Sequence, residues 1–139
     1  QQQQQQKISP LQLKVTYLGC AAINAPRSES EIQRNMAILN DSPSAMEIKL
    51  IVPRTPEDNV LLYELNDDEQ QEKLISSFPI SRIIFCARGK QDSNERCCLA
   101  FTASHGNNFQ TGLIQCHVFR CQSPEIVANI LHAFGMAFR

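Results

Sequence analysis

The last stretch of the chain, 116–139, reads CHVFRCQSPEIVANILHAFGMAFR and limits the fold more than any other. Ile126, Ile130, Leu131, Phe134 and Phe138 recur at helical spacing, with Val127 widening the stripe, so the sequence predicts one amphipathic helix here. Ser123 can accept a hydrogen bond from an orphan amide of the first turn, and Pro124 has no amide to leave unpaired there. No turn-forming residue follows, and the helix is expected to run on to the last residues. A helix this apolar must lie on something. The question it raises is whether it only closes a core or also forms one wall of a binding groove.

The segments before it mostly alternate with period two. Leu11, Leu13, Val15 and Tyr17 interleave with Gln12, Lys14 and Thr16, the signature of a half-buried strand that ends or bulges at Gly19. Met46, Ile48, Leu50 and Val52 repeat the pattern up to Pro53. Val60 to Leu65 and Lys73 to Phe78 are the next two strands, joined by the acidic turn Asn66-Asp67-Asp68-Glu69. Ile80 to Arg88 (ISRIIFCAR) is expected as a fifth strand, Arg96 to Ala103 as a sixth, and Leu113 to Cys121 as a seventh. A polar loop through Ser104-His105-Gly106-Asn107-Asn108 separates the last two. One helix interrupts the strands: Ser28 and Glu31 make a capping box, and Ile32, Met36 and Leu39 share a face up to Asn40. Short connections favour antiparallel neighbours, so seven strands should form two layers or a partly open barrel, with the final helix over one open end. The expected class is mainly β (α+β).

Composition narrows the function classes. The 139 residues suit one domain, and 42% hydrophobic content suffices for a core. Gln1 to Gln6 cannot bury surface, so 1–10 is expected as a disordered Gln-rich tail and 11–139 as the domain. Thirteen basic against fourteen acidic residues give a formal charge of −1, without the basic surplus of a nucleic-acid platform. No apolar run is long enough for a transmembrane helix, and no signal peptide is recognisable at the N-terminus. Cys20, Cys86, Cys97, Cys98, Cys116 and Cys121 fall mostly inside apolar runs, as reduced core thiols do, with a disulfide or metal framework the lesser alternative, and a cytoplasmic setting is expected.

Chemistry-bearing motifs are weak. Neither Cys97-Cys98 nor Cys116-His117 converges on one centre, because strand neighbours point to opposite faces. No catalytic, metal or cofactor site is therefore assigned. His105 and His132 read as loop and helix-surface residues. Arg27 and Arg34, with Lys14 and Lys49, could form a phosphoinositide patch, and Arg82, Arg88 and Lys90 could contact phosphate. Scattered surface charge is the commoner explanation for the first set, and ordinary surface charge or edge-strand protection for the second.

Four segments in order carry a resemblance: Tyr17-Leu18-Gly19, ISRIIFCAR, CHVFRC and the final helix with HAF near its end. Together they resemble the phosphotyrosine-binding (PTB/PID) domain family, and YLGCAAINAPRSESE, FTASH and CHVFRC are most similar to the PTB domain near the N-terminus of TBC-type Rab GTPase-activating proteins. The resemblance implies a pleckstrin-homology-like seven-stranded sandwich capped by the C-terminal helix, with a helix between strands 1 and 2. It implies an adaptor domain without catalysis of its own. Its ligand would be an extended Asn-Pro-x-Tyr-like peptide added as a strand to the fifth strand, beside the final helix. Carried onto this sequence, Ile83, Ile84, Phe85, Cys86, Ala87 and Arg88 form the pairing edge. Ile130, Leu131, Phe134 and Phe138 form the helix wall, with Phe134 expected to touch the ligand. Arg82, Lys90, Arg27 and Arg34 remain candidates for phosphate or lipid. A Rab GTPase would be reached only through another domain of a longer protein. Phosphoinositide binding at a membrane surface and intramolecular docking are the alternatives.

Overall fold

The computed structural model describes residues 9–65, 72–105 and 113–139. The Gln run, the acidic turn at 66–69 and positions 106–108 of the polar loop lie outside the described residues.

The long first strand, β1 (Leu11–Ala22), is the hinge of the architecture. Its first part pairs antiparallel with β2 (Met46–Val52), from Leu11 opposite Val52 to Tyr17 opposite Met46. Its second part pairs with β7 (Leu113–Arg120), and the register slips between Tyr17 and Gly19. Gly19 has φ +123°, in the region glycine alone adopts freely, so the expected break is a bulge through which the strand continues. β3 (Asn59–Glu64) and β4 (Lys73–Pro79) extend the sheet on the β2 side, while β6 (Cys98–His105) and β5 (Ile83–Arg88) extend it on the β7 side. The order is β4-β3-β2-β1-β7-β6-β5, antiparallel throughout. The two halves fold toward each other. Phe78 of β4 meets Phe101 of β6 edge to face at 5.1 Å, although the two strands are far apart in the sheet.

Two expected strands differ at their ends. Ile80–Arg82 forms a single 3₁₀ turn rather than the start of a strand. Here the chain crosses from one sheet edge to the other, the Ile80 amide donates to the Asp58 carbonyl, and the Ile80 side chain is buried. β6 begins later than Arg96 because Arg96 and Cys98 donate to Ser93 and Glu95 in a turn, and it runs on through Ser104 to His105, opposite Leu113.

Both faces of β6 and β7 are covered. Leu99, Phe101, Ala103 and Phe119 point into the main core, with Val127, Ile130, Ala133, Phe134 and Ala137 of α2 (Pro124–Ala137). Cys98, Ala100, Cys116 and Val118 point the other way, under Ile32 and Met36 of α1 (Glu29–Asn40). This accounts for the nearly continuous apolar run of β6, which a strand covered on one face would not show. Ser28 and Ser123 cap the two helices as expected, accepting from the amides of Glu31 and Ile126.

One polar group sits deep in the main core. His117 is 4% exposed and packed against Phe78 and Phe101. Its Nδ1 lies 2.9 Å from the Tyr17 hydroxyl and its Nε2 3.2 Å from Nε2 of His105. Burial, helped by His105, pulls its pKa down to about 4, so it is neutral at pH 7.

Candidate functional site

β5 is an edge strand. It pairs with β6 on one side, and among the described residues no strand pairs its other side. Register slips between Ile83 and Phe85, leaving Ile84 as the extra residue of a bulge. Ile83, Cys86 and Arg88 stand opposite Ala103, Phe101 and Leu99 and so face the α2 side, while Phe85 and Ala87 pack toward α1. Unpaired backbone amides and carbonyls along such an edge are ready to accept another strand.

Two side-chain contacts fix the far end of this edge. Gln33 of α1 donates to the Arg88 carbonyl at 2.8 Å, and Arg88 Nη2 donates to the Pro124 carbonyl at 3.3 Å, in the first turn of α2. From there α2 packs on β5 and also covers parts of β2 and β6.

Pro124, Leu131 and Phe138 recur every seventh residue and therefore share one flank of the helix, and Arg88 donates to the Pro124 backbone carbonyl at its start. Leu131 is half-buried and Phe138 is 43% exposed. Ile130 and Phe134 lie deeper, at 0% and 1%. Phe134 was expected at the ligand, yet its ring belongs to the core, 5.7 Å from Phe101 and stacked under Phe138 at 6.4 Å. On β5, Ile84, Phe85, Cys86 and Arg88 are half-buried, and Ile83 and Ala87 are buried.

The charged candidates do not gather into one patch. Arg82 precedes β5 and Lys90 follows it, on either side of the six-residue strand. Arg27 and Arg34 are exposed before and within α1. Lys49 is held by the Glu72 carboxylate at 2.6 Å and lies 5.3 Å over the Tyr63 ring, while Lys14 stands opposite it in the β1–β2 register. His105 is the last residue of β6 and touches His117, a contact that needs the β6–β7 register and has no signal in the sequence. Gln33 is likewise a positioning residue that a helical pattern cannot single out.

Among the described residues no cluster of three or more metal-ligating side chains occurs, and no helix is long and apolar enough to cross a membrane. The family model of the phosphotyrosine interaction domain (PTB/PID) matches residues 13–139. The chain is also 31% identical over 131 residues to the Rab GTPase-activating protein tbc-11 of Caenorhabditis elegans, a match covering 89% of this chain and 14% of that protein. The chain thus spans about a seventh of the length of that relative. With its seven antiparallel strands, free β5 edge and capping helix α2, the chain belongs to the phosphotyrosine interaction domain (PTB/PID) family.

Proposed function

We propose that this domain binds an extended, Asn-Pro-x-Tyr-like peptide, which adds as an antiparallel strand to the free side of β5 against α2. The observation that carries the reading is the unpaired β5 edge, held at Arg88 and packed against α2. Main-chain hydrogen bonds from Ile83 to Arg88 set the peptide's register, and side chains on the helix wall select apolar residues. Leu131 and Phe138 are the contact surface of that wall, with Ile130 and Phe134 supporting them from the core. Binding is independent of phosphate. Arg82 and Lys90 stand at opposite ends of β5, and Arg88 is engaged with a carbonyl, which argues against a converging arginine pair beside the strand among the described residues.

The domain itself is an interaction module. As part of a longer cytoplasmic Rab GTPase-activating protein, it would bring that protein to its partners, while another domain acts on the Rab GTPase. The similarity to tbc-11 supports this placement. Fluorescence polarisation of labelled Asn-Pro-x-Tyr peptides, phosphorylated and unphosphorylated, tests the reading. Both forms should bind with Kd near 1 μM, about −8 kcal/mol. Binding of the phosphorylated form alone would overturn phosphate independence. Binding of neither form, with capture on anionic vesicles, would favour a phosphoinositide module.

A further inference from the structure

Cys97 and Cys121 are far apart in sequence but adjacent in the sheet. β6 and β7 are in register with Cys98 opposite Arg120 and Leu99 opposite Phe119. One step beyond, the Cys121 amide donates to the Cys97 carbonyl at 2.8 Å, so the antiparallel pairing continues and places these two cysteines directly across from each other. Residues opposed and hydrogen-bonded in this way have Cα atoms about 5.5 Å apart. Disulfides form over Cα separations of about 4.4–6.8 Å, most often near 5.5–6 Å.

Continuing the alternation of the ladder sets both side chains toward one face. Cys97 and Cys121 are each two residues from Leu99 and Phe119, which point into the main core, and Cys121 is itself a member of that core. Cys98 points the other way, into the cluster under α1, and is completely buried. Exposure divides the pair further: Cys97 is partly open to solvent, while Cys121 is 7% exposed. We infer that Cys97 and Cys121 are an oxidation site, a dithiol that closes to a cross-strand disulfide when a peroxide reaches Cys97.

The chemistry balances with one equivalent of hydrogen peroxide. Cys97 Sγ attacks one peroxide oxygen, the O–O bond breaks, and one water leaves once the thiol proton has been transferred to the departing oxygen. Cys97 is then a sulfenic acid. Cys121 Sγ attacks that sulfur, the S–O bond breaks, and the hydroxide departs with the Cys121 proton as a second water. Two thiols lose two electrons and two protons, and peroxide is reduced to two waters. Burial, then Cys98 and Cys97, push the Cys121 thiol up to about 12. This suits the second role rather than the first, since the initial attack needs an accessible thiolate. With its Cys97 sulfur partly open to solvent, the bond can be reached by a reducing thiol, so the modification is expected to be reversible.

The bond would join two functional neighbours. Cys97 closes the turn that follows β5, where the Gly89 amide donates to the Cys98 carbonyl. Cys121 leads through Gln122 to Ser123, the cap of α2. Oxidation therefore ties the turn after β5 to the start of α2.

The test uses the folded chain, treated with one equivalent of hydrogen peroxide, blocked with iodoacetamide and digested with trypsin. Cleavage after Arg96 and Arg120 puts Cys97 and Cys121 on separate peptides, 97–120 and 121–139. The expected product is these two peptides joined, two hydrogens lighter than their sum, with fragment ions placing the link at Cys97, and separated by dithiothreitol. The link should survive Cys98→Ala and Cys116→Ala and disappear in Cys97→Ser. A link that fragment ions place at Cys98 or Cys116 would overturn the proposal, as would recovery of Cys121 fully alkylated while Cys97 is oxidised. Because the fragment ions are read on the unsubstituted chain, a variant that fails to fold does not affect the outcome.

Discussion

The ring of Phe138 lies over that of Phe134, 6.4 Å apart and 29° from parallel, so the exposed aromatic of α2 rests on a buried one. The two residues are both phenylalanines on one helix, yet they carry different loads. Phe134 is closed off by Phe101 and Phe138, whereas Phe138 is 43% exposed. Phe138→Ala should therefore weaken peptide binding by about 2 kcal/mol, roughly thirtyfold, with little change in stability. Phe134→Ala should cost about 3–5 kcal/mol of stability. Urea denaturation beside a peptide titration separates the two, and equal loss of stability in both variants would contradict the division.

Two glycines make opposite predictions. A Cβ on Gly89 would fall 1.7 Å from the Glu95 carbonyl oxygen, so Gly89→Ala must push apart the turn after β5 and should destabilise the domain by about 1–3 kcal/mol. At Gly135 a Cβ meets nothing within 4 Å, and the residue is inside α2. Gly135→Ala should raise stability by about 0.5–1 kcal/mol through helix propensity alone. Thermal unfolding of the two variants checks both signs.

The core histidine predicts how stability depends on pH. His117 titrates near 4 when folded and near 6.5 when unfolded, so the unfolded chain binds more protons between these values. Its contribution is fully present above about pH 6.5 and is lost as pH falls toward 4, on the order of 3 kcal/mol in all. His117→Gln, which can still bond the Tyr17 hydroxyl, should flatten this part of the profile. An unchanged slope in urea titrations at pH 7.5 and pH 5 would place the dependence elsewhere.

Much of the fold was legible because it rests on local pattern. The capping serines, the stripe of α2, and the alternation in β1 and β2 are each specified within one segment, and they appear where the spacing puts them. What was not legible depends on pairing. Gly19 reads equally as an end or a bulge until β7 is known to take over from β2. Phe134 and Phe138 differ by one helical turn, about 40° on the helix wheel, and only the position of Phe101 decides which is enclosed. The same limit hid the contact of His105 with His117 and the alignment of Cys97 with Cys121. Adjacent cysteines point apart on a strand, whereas residues far apart in sequence can be cross-strand neighbours. Gln33 reaching the Arg88 carbonyl belongs to this class as well.

The central claim, strand addition at β5, is tested most directly by amide chemical shifts of the isotope-labelled domain during titration with an Asn-Pro-x-Tyr peptide. The account predicts the largest changes, and slowed hydrogen exchange, at outward-facing amides between Ile83 and Arg88, with side-chain shifts at Leu131 and Phe138. Saturable binding that leaves 83–88 unperturbed and shifts another surface instead would contradict it.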